Sequence, residues 1–121
     1  MLKKAVLISI MIISLVGCTT TINYKGESTS WRGNYSATIN SKNNREQGTY
    51  EFVYIGNIRI DTIQKAIIKN GSRTTEITDF SLLDGKMQIP TSCSGCSNKN
   101  NPIEVTIWWN DTEETFELIY R

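Results

Sequence analysis

The chain contains no histidine, which removes imidazole general-base catalysis and every histidine-ligated metal from consideration. Cysteine is scarce, with three in 121 residues, too few for a four-thiolate zinc site. Neither sign of charge dominates: 13 basic residues face 12 acidic ones, so no strong field exists to draw in nucleic acid or anionic lipid. No apolar run reaches the roughly 20 residues that a bilayer-spanning helix requires. Internal repeats and low-complexity tracts are absent, and the length holds one domain.

What is present begins with a targeting signal. Lys3 and Lys4 form a positive start, and residues 5–16 are apolar except for Ser9 and Ser14. That pattern has the length and order of an export signal. It ends in Leu15-Val16-Gly17-Cys18, which resembles the bacterial lipobox, where small or aliphatic residues fit the signal peptidase and the cysteine sulfur takes a diacylglyceryl group. An ordinary signal peptide or an apolar N-terminal helix would leave the cysteine unexplained. Cleavage before Cys18 is therefore expected, with lipid on Cys18 anchoring the protein durably to the membrane. Losing residues 1–17 takes away Lys3 and Lys4 and leaves 11 basic and 12 acidic residues, a formal charge of −1. Residues 18–26 read as the lipidated cysteine and a short polar tether, and residues 27–121 as a single β domain.

Within that domain the hydrophobic period is two. Trp31, Gly33, Tyr35, Ala37 and Ile39 share one face, with polar residues between them, as in a half-buried antiparallel strand. Tyr50, Phe52 and Tyr54 repeat the pattern after a polar turn. Ile58 and Ile60 start a third run, which Ile63, Ala66, Ile67 and Ile68 continue out of phase. A bulge near Asp61-Thr62 or a short break into two strands is expected there, with a short helix over 61–69 as the alternative, since Ile63, Ile67 and Ile68 also fit helical spacing. Asn70-Gly71 and Asp84-Gly85 are turn signals. Residues 73–78 suit a sheet edge, and Pro90 is expected to stop the strand carrying Met87 and Ile89. A final hairpin joins Ile103, Val105, Ile107 and Trp109 to Phe116, Leu118 and Tyr120. The fold class expected is all-β, an antiparallel β-sandwich of about seven short strands and of immunoglobulin-like size, with a small barrel as the neighbouring possibility.

Three features could carry chemistry. Cys93-Ser94-Gly95-Cys96 is the first. In an oxidising compartment the pair reads as a disulfide, clipping a polar loop that runs to Pro102. Redox activity would need a helix N-terminus or similar device to lower a cysteine pKa, and no helix signal follows. Zinc would need two further ligands, and haem attachment would need histidine where Ser97 stands. The second feature is Trp108, adjacent to Trp109 and so on the opposite strand face. It stands either exposed for a sugar or protein partner, or covered by a neighbouring segment. The third is a scatter of carboxylates (Asp79, Asp84, Glu113, Glu114) in no pattern of a glycosidase dyad or a calcium loop. Without histidine or a G-x-S-x-G elbow the serines make no nucleophile.

Gly26-Glu27-Ser28, Trp31, Tyr35, Tyr50-Glu51-Phe52, the C-S-G-C loop, Pro102-Ile103, Ile107-Trp108-Trp109 and Glu114-Thr115-Phe116 together resemble small uncharacterised lipoproteins of low-GC Gram-positive bacteria. The resemblance implies display on the extracytoplasmic face of the cell membrane, under the wall. The expectation from all of this is a non-enzymatic binding or envelope accessory module without cofactors. Its partners are the membrane, through Cys18, and a protein or cell-wall component rather than nucleic acid. An extracytoplasmic thiol–disulfide protein using Cys93 and Cys96 and a structural envelope subunit are the alternatives.

Overall fold

The computed structural model describes residues 19–121; the signal segment and Cys18 lie outside the described residues. Eight strands follow one another: β1 (Thr19–Glu27), β2 (Trp31–Asn40), β3 (Arg45–Tyr54), β4 (Thr62–Asn70), β5 (Arg73–Ser81), β6 (Lys86–Ser94), β7 (Ile103–Trp109) and β8 (Thr112–Tyr120). They form one sheet in the order β5-β4-β7-β8-β1-β2-β3-β6, with every pair antiparallel. Among the described residues there is no helix.

The sandwich expected from the sequence is corrected to a nearly closed, barrel-like sheet. The reason lies in residues 19–27, which form a strand and not a tether. Ile22 and Tyr24 alternate inward in β1, and β1 runs beside β2 from Thr19↔Asn40 to Glu27↔Arg32. On its other side Tyr24↔Tyr120 and Lys25↔Ile119 pair it with β8. That short pairing joins two four-stranded halves into one sheet. It also forces the chain close at Gly26, where a Cβ would sit 1.9 Å from the Glu117 carbonyl oxygen. Only glycine fits there.

The inward positions pack as one core. Trp31, Tyr35, Phe52, Met87, Ile103, Val105, Ile107 and Leu118 are all buried, so both halves contribute to the same hydrophobic cluster. Trp31 meets Trp109 edge-on at 5.7 Å between ring centroids, and Tyr35 stacks on Tyr50 at 4.3 Å. Such ring pairs add to area burial, which is the dominant stabilising effect.

Several local expectations change. Residues 62–70 are strand β4, not helix, and Ile58 is 72% exposed in the connection before it. The phase break falls at Gln64–Lys65, between inward Ile63 and inward Ala66. It leaves the register with β5 intact, because the facing residue Asp79 takes a positive φ of 51°. Pro90 does not end β6, which continues to Ser94 beside β3. A proline lacks the N–H donor, and β6 is a sheet edge where that loss is tolerated. β5 is the other edge, as its charged, β-branched sequence implies. Between the two edges Arg73 Nη1 donates to the Ser92 carbonyl at 3.3 Å.

Candidate functional site

At one end of the barrel lies a buried polar cluster under the disulfide loop. Glu46 falls on the inward phase of β3 with Tyr50 and Phe52, so the strand period places a carboxylate inside. It is fully buried, and an unpartnered charge there would be prohibitive. Three donors meet it: the Tyr35 hydroxyl to Oε2, the Ser97 hydroxyl to Oε2 at 2.7 Å, and the Ser97 N–H to Oε1 at 3.2 Å. Asn70 Nδ2 donates to the Ser97 hydroxyl at 3.0 Å and to the Tyr50 hydroxyl at 3.2 Å. Burial, together with the bond to Glu46, raises the Tyr35 phenol well above its ordinary range. Burial likewise pushes Tyr50 up to about 12, against the opposing Asn70 bond. Tyr24 is raised by burial and by the charge of Glu46; its hydroxyl lies near Ser97 without reaching hydrogen-bond geometry.

The Cys93–Cys96 disulfide is present, with Cα atoms 6.2 Å apart. Cys93 sits in β6 directly across from Glu46, and Ser97 follows Cys96. The bridge therefore turns the chain back so that Ser97 lands on the carboxylate opposite Cys93. Gly71, at φ 61°, lies against this loop; a Cβ there would come within 2.7 Å of the Cys96 carbonyl oxygen. Further along, Lys99 Nζ lies over the Tyr120 ring at 5.1 Å. The loop is thus held over the barrel end through Ser97 and Lys99.

The opposite end carries a second carboxylate. Glu114 Oε1 accepts from the Ser28 hydroxyl at 2.6 Å and the Ser30 N–H at 2.9 Å, and Oε2 accepts from the Ser30 hydroxyl at 2.6 Å. Partial burial pushes its pKa up, but these bonds from Ser28 and Ser30 outweigh it and hold the carboxyl below its usual range. Glu114 thereby ties the β1–β2 turn to β8.

A third feature is a groove of about 620 Å³ on the outer face of β8, β1, β2 and β3. Lys25, Asn34 and Glu51 are neighbours in one row across β1, β2 and β3, with Ile119 beside Lys25 on β8. The next row holds Glu27, Arg32 and Val53. Glu117 and Arg121 complete the rim.

Of the residues singled out in the sequence, Cys18 lies outside the described residues. Thr19, directly after it, opens β1 at the disulfide-loop end of the barrel, paired with Asn40. Trp108 is half-buried on the outer face of β7, with Lys65 Nζ 5.3 Å from its ring centroid. It does not line the groove. Nothing in the sequence marks Glu46, Ser97 or the groove residues as parts of a site. For Glu46 the period signals burial alone, since a glutamate four residues before Tyr50 is in phase with the core.

Comparison with protein-family models, with curated proteins and with solved structures finds no match to this chain.

Proposed function

We propose that this chain is an exported lipoprotein, cleaved before Cys18 and anchored there by lipid to the extracytoplasmic face of the cell membrane. Its barrel serves as a non-enzymatic binding module for a protein or cell-wall partner. The observation that carries the reading is the position of Thr19. The first residue after Cys18 is already paired in the sheet, so no spacer separates the lipid from the domain. Anchoring at Cys18 would hold the disulfide-loop end at the bilayer and leave the barrel wall, with its groove, open to partners. The same loop contacts favour a structural disulfide over a redox centre, because Glu46 and Asn70 both bond Ser97 and hold the cysteine loop against the barrel.

The test is metabolic labelling with an alkyne fatty acid, comparing wild type with Cys18→Ala, followed by protease treatment of intact wall-stripped cells. The expected result is label on wild type alone and a wild-type domain accessible to protease. Equal labelling of both, or full protection of the domain, would contradict the proposal.

A further inference from the structure

The outer-face groove is bordered by a local feature of the sheet. Gly26 and Gly33 are cross-strand partners on β1 and β2, and both border the groove. On the inner side neither has room for a side chain: a Cβ on Gly26 meets the Glu117 carbonyl, and one on Gly33 comes within 3.0 Å of Leu118, Phe52 and Phe116. The backbone is closely packed at this pair, and the groove lies over it on the outer face.

The charges around the hollow are mixed and partly unspent. Arg32 and Glu27 pair with each other at 3.7 Å, and Glu51 accepts from Gln88 at 2.9 Å. Lys25, Arg121 and Glu117 have no ion-pair partner among the described residues. Asn34, between Lys25 and Glu51, keeps its amide oxygen buried without a hydrogen-bond partner. Ile119, 52% exposed, and Val53 supply apolar contact.

We infer that this groove binds a short zwitterionic peptide with a free ammonium and a free carboxylate. A ligand of one sign would meet repulsion as well as attraction here, whereas separated opposite charges match Lys25 on β1 and Glu51 on β3. Lys25 and Arg121 receive the carboxylate on the β1–β8 side, and Glu51 on β3 receives the ammonium. Lys25 and Glu51 stand two strands apart, about 10 Å at the usual strand spacing. An extended peptide of three residues spans about 10 Å. A backbone N–H is the donor that the Asn34 amide lacks, reached by rotation of that side chain. The volume falls in the range of small-ligand sites, about 300–1,000 Å³.

The inference rests on reading the barrel as a binding module and names its ligand class. It is tested by calorimetric titration of the full chain in neutral detergent micelles with tri-alanine, N-acetyl-tri-alanine and tri-alanine amide. The expected result is saturable binding of tri-alanine, weakened at least tenfold by blocking either end. Lys25→Ala should remove the penalty for amidation, and Glu51→Gln the penalty for acetylation, with circular dichroism unchanged in both variants. Absence of binding at millimolar tri-alanine, or binding indifferent to blocked ends, overturns the ligand class. In that event, capture of a partner on intact cells by a photo-crosslinker at Ile119 would show that the ligand class failed while the binding module stood.

Discussion

Glu46 and Glu114 perform the same task at opposite ends of the barrel. Each receives a backbone N–H and a hydroxyl from one serine of a loop, plus one further hydroxyl. The bond counts match, yet the settings do not. Glu46 is fully buried among tyrosines, while Glu114 is half-buried beside a turn. Water can replace lost partners at Glu114 but not at Glu46. The cost of breaking each staple is therefore set by burial, and the disulfide loop depends on its carboxylate far more than the β1–β2 turn does.

Substitution sharpens that contrast. Glu46→Ala would take the acceptor from the Ser97 N–H and hydroxyl and leave the Tyr35 hydroxyl only its 3.3 Å contact with Thr91, costing about 3 kcal/mol. Urea unfolding measures this, and hydrogen exchange should rise across residues 94–102. Alkaline titration comes next. The folded state holds the Tyr35 and Tyr50 protons more tightly than the unfolded chain does, so stability is full below pH 10 and falls as pH rises towards 12. For Tyr50 alone the loss is about 2 kcal/mol by pH 12, read by denaturant midpoints and phenolate absorbance. Gly71→Ala combines a positive φ with contact to Cys96 and should cost about 2 kcal/mol.

At the other end the effects shrink. Glu114→Gln should cost about 1 kcal/mol. Because the Glu114 pKa is lowered by its serine bonds, its contribution is present above the ordinary glutamate range and lost as pH falls through the folded value. Wild type should therefore lose stability on acidification more steeply than Glu114→Gln does. Equal losses from Glu46→Ala and Glu114→Ala would break the comparison, since burial would then have no weight.

The strands that follow a clean two-residue period were legible in the sequence: β2, β3, β7 and β8 carry their core residues where the alternation places them. β1 was missed because only Ile22 and Tyr24 mark its inner face, Thr20 being exposed and Gly26 having no side chain. That one strand decides between sandwich and barrel. The β4 phase break was visible, but its place was not, since it depends on the backbone of Asp79 across the ladder. Both staples join residues far apart, Glu46 to Ser97 and Ser28 to Glu114. The groove gathers Lys25, Glu51 and Glu117 from three strands. Alternation gives facing within a strand and says nothing of which strands are neighbours.

The most direct test is a redox titration of Cys93–Cys96 in the full chain, with thiol trapping to read the oxidised fraction. If the loop is a clip held to the barrel through Ser97 and Glu46, the midpoint should lie below about −300 mV. A midpoint near −120 to −200 mV, the range of oxidoreductases, would contradict the account and make the two cysteines the active site.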